Sequence, residues 1–310
     1  MRAGCSGKSA GIGRYWQREK ASMNQKTKLT RRSLVGALGT AGAAAPLGTA
    51  LLAQASAQTV TGTNAVALAV IGDESHNSDA YRTAFQATLV EDAGLNIDFT
   101  DEEKLISYET LKHYRILILF RNGTRHPGGY SNIQAEIVSV PPLQRKLDRT
   151  FVATITDQQC KDIKRWVEEG GSLWAWHNNS RLSLMRKDYR DVQGATILGH
   201  PPVRPFKVKI INHDHPITKG VNDFVITDEQ HFLVYEKDPK YVLARSVNED
   251  GLTYPDRNKQ PSTTCEAAWA YDYGKGRVCF FAPGHAITAL WNPEFEKMQK
   301  NAVKWLLHET

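Results

Sequence analysis

From Ala65 to Ile71 the chain is apolar without a break, and it stops at Gly72-Asp73. Such a run, bounded by turn formers, predicts a strand buried on both faces, as in a parallel sheet. Residues 79–93 carry helical spacing and end at Gly94. A short strand is expected at 96–99 and another at 114–120, which reads Tyr-Arg-Ile-Leu-Ile-Leu-Phe. Residues 121–150 are irregular and rich in Gly, Pro and Asn, longer than an ordinary connection, which marks a functional or mobile loop. Thr156-Asp157-Gln158-Gln159 has the form of a capping box, opening a helix that runs to Glu169 and stops at Gly170-Gly171. Ser172–His177 follows as a strand. This alternation predicts an α/β fold with a doubly wound, mainly parallel sheet.

Beyond His177 the pattern shortens. Segments at 206–211, 232–235, 242–245, 266–271 and 277–281 read as strands, the last two joined by a turn at Tyr273-Gly274-Lys275-Gly276. The closing helix, 293–307, places Phe295, Met298, Ala302, Trp305 and Leu306 on its apolar face. We therefore expect a single domain over 58–310 with β-rich insertions in its C-terminal half.

The formal net charge of +6 over 310 residues would suggest a nucleic-acid partner, but its distribution argues against one. Residues 1–57 hold nine basic residues and one acidic residue, leaving 30 basic and 32 acidic residues in 58–310. The excess belongs to a targeting segment. Thr30-Arg31-Arg32-Ser33-Leu34 precedes a Gly/Ala/Leu-rich run from Leu34 to Leu52, and Ala55-Ser56-Ala57 offers a small-x-small cleavage site. Paired arginines before a weakly apolar run predict twin-arginine export, cleavage near Ala57 and a periplasmic or secreted product. Gly and Pro interrupt the run, which argues against a stable membrane anchor. Met23 lies just ahead of this signal, so residues 1–22 read as an upstream extension of the frame. Cys160, Cys265 and Cys279 remain after cleavage, without CxxC spacing. Cys265 and Cys279 flank the hairpin, so a disulfide between them stays open.

Ligands of open parallel sheets bind at the carboxyl ends of strands. Three segments fall there: Gly72-Asp73-Glu74-Ser75-His76, His177-Asn178-Asn179-Ser180 and Phe281-Ala282-Pro283-Gly284-His285. Further histidines, His200, His213, His215 and His231, sit in turns, and Asp228-Glu229 adds carboxylates. Imidazole suits metal ligation and proton transfer near neutral pH. No pair has a tight ligand spacing, so the pattern is unspecific by itself. His113, His126, His213 and His308 are expected to be structural or exposed. Trp174 and Trp176 share one strand face and read as core, whereas Trp291, in a loop, suits stacking on a sugar ring. The Gly-x-Ser-x-Gly or Gly-x-Cys-x-Gly elbow of nucleophilic catalysis is absent, as is a phosphate-binding Gly-rich loop.

Taken in order, several pieces resemble the ThuA-like (trehalose utilisation) family: Val167-Glu168-Glu169-Gly170-Gly171-Ser172-Leu173 leading to His177; Gly199-His200-Pro201-Pro202; His215-Pro216-Ile217-Thr218-Lys219-Gly220; Thr227-Asp228-Glu229; Trp269; Tyr273-Gly274-Lys275-Gly276-Arg277-Val278; Gly284-His285; and Trp305. One departure is Gln230-His231-Phe232, where the family commonly has an aromatic soon after the Asp-Glu pair. The resemblance implies a flavodoxin-like sheet similar to class I glutamine amidotransferases, though without their cysteine elbow. It also implies a small carbohydrate partner, a glycoside or 3-keto-sugar. We expect His177, Glu229 and His285 to be catalytic, with His177, His231, His285 and Asp228 available to a divalent metal such as zinc. Asp73, His200 and Trp291 are expected to contact substrate. The alternative is a non-catalytic sugar-binding or accessory protein. Geometry separates the two: convergence of three or more of these His and Glu groups favours catalysis.

Overall fold

The computed structural model describes residues 65–125 and 151–310. The export segment, His126 and most of the 121–150 loop lie outside the described residues. Strands β1 (Ala67–Ile71), β2 (Ile97–Thr100), β3 (Ile116–Phe120) and β4 (Ser172–Trp176) form where the apolar runs predict them. Next come β5 (Ala195–Gly199), β6 (Arg204–Ile210), β7 (Phe224–Asp228), β8 (Phe232–Tyr235), β9 (Val242–Val247), β10 (Thr264–Tyr273) and β11 (Gly276–Phe281). Nine of these build one sheet in the order β2-β1-β3-β4-β11-β10-β9-β6-β7. The pairs from β2 through β11 are parallel and those from β11 onward antiparallel. The β-rich C-terminal half therefore extends the main sheet; β5 and β8 pair apart from it, as do the short segments Tyr254–Pro255 and Pro261–Ser262.

Both faces of the sheet are covered. Helix α1 (Ser78–Phe85), which continues as a π-helical segment Gln86–Asp92, and α6 (Pro293–Leu306) pack with Phe120, Trp174, Trp176 and Phe281 on one side. Between them in sequence lie α2 (Tyr108–Leu111), α3 (Asp157–Glu168), α4 (Lys187–Gln193) and α5 (Ile287–Leu290). Residues of α3 and α4 cover Leu173, Ala175, Val278 and Phe280 on the other side. Successive β4 side chains point to opposite faces, which separates the two tryptophans from Leu173 and Ala175. Trp174 and Trp176 are fully buried, as expected of core residues.

Two features carry the site. The parallel strands β1, β3, β4 and β11 all end on one edge. The sheet also coils, so that Asp228 at the end of the outermost strand β7 accepts hydrogen bonds from Gly284 and Ala286, just past β11. Register irregularities between β9 and β10, at Val242/Ala244 and Ala244/Arg245, supply bulges of the kind that bend a sheet.

The disulfide left open between Cys265 and Cys279 does not form; both thiols are free and buried. The β10–β11 turn sets the register Tyr273↔Gly276, which places Cys279 opposite Ala270, while Cys265 lies opposite Ser246 of β9. Burial pushes the Cys265 thiol up to about 12.

Candidate active site

The chain just beyond β1 turns back on itself, Asp73 and His76 pairing as a short bridge. This turn brings His76 Nδ1 to 2.8 Å from Asp73 Oδ1. The same carboxylate accepts from the Asn122 amide after β3 (2.8 Å) and from Asn178 Nδ2 after β4 (2.7 Å). Asp73 thus ties three strand ends together. Burial opposes its charge, but His76 outweighs that, and its carboxyl sits below the usual range.

His177 occupies the first position after β4, with φ 44°, in the left-handed region that non-glycine residues seldom adopt. A 3-10 segment, His177–Leu184, begins there. This strand-to-helix turn is the backbone device by which α/β-hydrolases present a nucleophile; here it presents an imidazole. His177 Nδ1 donates to the Ala282 carbonyl at 2.7 Å, which leaves Nε2 facing inward. His200, just past β5, likewise has Nδ1 on a carbonyl, that of Pro201 at 3.0 Å.

Glu229 follows β7 and stands at the centre. Its Oε2 lies 3.2 Å from His177 Nε2, 3.4 Å from His285 Nδ1, 3.5 Å from His231 Nε2 and 3.6 Å from His200 Nε2. Donor atoms of His76, His177, Glu229 and His285 all fall within 4.8 Å of one another, and so do those of His200, Glu229 and His231. Burial opposes the Glu229 charge, but His177 and His231 outweigh it and hold the carboxyl far below its usual range. For His177 burial works against protonation, yet Glu229 prevails and the pKa rises. Burial dominates the remaining imidazoles: His200 and His231 are lowered, and His285 falls to about 4. They stay neutral, with lone pairs available.

Asp228, expected as a metal donor, is placed differently. It is wholly buried, and its oxygens accept from the amides of Glu229 (2.9 Å), Gly284 (2.6 Å) and Ala286 (3.1 Å). It anchors the loop that carries His285. Asp73, expected to touch substrate, is likewise occupied with His76, Asn122 and Asn178. Trp291 lies at the end of α5, exposed, and does not line the cavity. His177, His200, Glu229, His231 and His285 do come together. The residue that sequence reasoning left out of its site is His76, although the segment containing it was singled out. The cavity above the cluster, with about 30 Å³ of water-accessible space, is lined also by Ser75, Asn178 and Arg181.

Fold and site together define a flavodoxin-like α/β protein with an imidazole-rich cavity at the carboxyl edge of its sheet. The chain belongs to the ThuA family, described as trehalose utilisation, whose sequence model matches residues 67–306. Two solved structures described as ThuA-like share the fold. One, from Bacteroides uniformis, has 17% identity and TM-score 0.54, covering 79% of this chain and 93% of its own. The other, from Parabacteroides merdae, has 14% identity and TM-score 0.54, covering 79% and 90%. No curated protein matches the chain.

Proposed function

We propose that the protein is an exported enzyme of carbohydrate metabolism that acts on a glycoside or 3-keto-sugar at a divalent-metal centre. One observation carries this reading: a single half-buried carboxylate oxygen is ringed by four imidazole nitrogens at 3.2–3.6 Å. The three longer distances exceed those of good hydrogen bonds, and all four match the spacing of donors around an ion bound at about 2.0–2.2 Å. The donor set fits a metal in a second respect. The Nε2 atoms of His76 and His177 are buried without a partner, while their Nδ1 atoms are held by Asp73 and Ala282. A carboxylate or carbonyl behind a ligating histidine fixes its orientation and raises its basicity.

In this reading His76, His177 and Glu229 hold the ion, the three-ligand arrangement that leaves a position open for substrate. The ion, when bound, polarises a carbonyl or hydroxyl oxygen of the sugar. His285, neutral and partly exposed to the cavity, takes up or returns the proton at the carbon beside that carbonyl. Asn178, Arg181 and Ser75 line the same cavity and offer hydrogen bonds to sugar hydroxyls. A proton on His177 and a metal ion are alternative ways to balance Glu229, so metal affinity falls as pH falls. The convergence of these groups favours catalysis over binding alone.

The test is elemental analysis of the purified protein after exhaustive dialysis, followed by incubation with trehalose-type and 3-keto glycosides. Metal should be retained by the wild type and lost, together with turnover, in His177→Ala. Metal-free wild type with full turnover would overturn the reading.

A further inference from the structure

We infer that the cavity is built for two metal ions sharing one carboxylate: the ion already described and a second held by His200, His231 and Glu229. This rests on the metal-centre reading above and extends it.

The argument begins with His231. It is 2% exposed and its Nδ1 is buried without a partner. Its Nε2 lies 3.5 Å from Glu229 Oε2, beyond a good hydrogen bond. An imidazole so placed costs free energy unless something engages it.

That something cannot be the first ion. The rings of His177 and His231 stack face to face, with centroids 3.9 Å apart and planes within 22° of parallel. Their lone pairs therefore lie in nearly parallel, separated planes. No point 2.0–2.1 Å from one nitrogen, the metal–imidazole distance, lies on the lone-pair axis of the other. The first set is different: the ring centroids of His76, His177 and His285 stand 5.2–5.8 Å apart, which leaves room for their nitrogens to close on one point.

The partner for His231 is His200. Their rings are also near parallel, at 25°, but offset to a centroid distance of 5.2 Å, the spacing found within the first set, and His200 Nε2 lies 3.6 Å from Glu229 Oε2. His200 Nδ1 donates to the Pro201 carbonyl, so its Nε2 lone pair is the one turned to Glu229. This repeats the arrangement of His177 and Ala282. The two donor sets have only Glu229 in common.

Metal titration of the metal-stripped full chain with Mn²⁺, read by elemental analysis and electron paramagnetic resonance, tests this. Wild type should bind two ions per chain and show a spin-coupled spectrum, because the ions share a carboxylate. His200→Ala, at a half-buried turn position, should bind one ion and lose the coupling while its thermal unfolding midpoint holds. His231→Asn provides a second variant. Wild type that saturates at one ion overturns the shared pair but leaves the single-metal reading standing; wild type that binds none overturns both. Two ions without spin coupling also overturn the inference, since the shared Glu229 is its substance.

Discussion

Chemistry at the residue scale is decided by what stands behind each ligand. Asp73 holds His76 from the side away from the cavity. Asp73→Asn keeps the volume and weakens the hold, and should loosen metal binding about 10–100-fold, measurable by competition with a chelator. His215 provides a pH handle far from this cluster. Its Nδ1 accepts from the Ile217 amide, capping a short 3-10 turn, so the folded protein needs it neutral. Burial, then Arg277, lowers its pKa from 6.5 to about 4. The unfolded chain takes up a proton there near 6.5 while the folded one does not. Stability is therefore full above about pH 6.5 and is lost as pH falls towards 4. Because the ring is partly exposed, the loss is about 1–2 kcal/mol after allowance for solvent screening. Unfolding midpoints between pH 7 and 4.5 should fall more steeply for wild type than for His215→Asn, whose amide caps without titrating. The sequence shows residue types here but not their direction. Asp228 and Glu229 are adjacent carboxylates, and only the end of β7 decides that one turns to backbone amides and the other to imidazoles. His76 stayed hidden for a related reason: the turn that presses it onto Asp73 has no periodic signature.

Elements were the most legible level. The apolar runs of β1, β3 and β4, the hairpin of β10 and β11, and α6 stand where their patterns put them, because local burial determines them. The capping box is present as read: Thr156 Oγ1 accepts from the Gln159 amide at 3.2 Å, and Gln159 Oε1 accepts from the Thr156 amide at 2.8 Å. Thr156→Ala should cost about 1 kcal/mol and lower the melting temperature by roughly 2–4 °C, the sensitivity expected at this domain size. Calorimetry checks this. Gly276 shows a tighter constraint, since a Cβ there would meet the Gly171 carbonyl oxygen at 2.0 Å and that of Val167 at 2.3 Å. Less legible were β5 and β7, and with them the placement of His200 and Glu229. These strands are as long as β1, β3 and β4, but polar residues interrupt them, and their place depends on partners far along the chain. The disulfide question also turned on register, which a two-residue turn settles and Cys spacing does not.

At the scale of the molecule, the α/β class followed from the alternation of strand and helix patterns and the family from ordered motifs, whereas the coiling of the sheet followed from neither. It is the coil that carries Glu229 from the outermost strand back to the centre, and no local pattern encodes it. Export belongs to this scale too. We propose that residues 1–57 send the chain out through the twin-arginine route. Arg31→Lys combined with Arg32→Lys should then leave uncleaved precursor in the cytoplasm, visible by fractionation and blotting, while a merely secretory signal would tolerate the change.

The donors around Glu229 come from stretches as remote as residues 76 and 285, and they meet only when both halves of the sheet are in place. An unfolded chain consequently offers an ion no pre-arranged nest. If the protein crosses its membrane already folded, the ion is chosen on the inner side, by whichever metals the cytosol keeps available at that moment. The contents of the cavity outside would then preserve a record of the compartment where the chain was made.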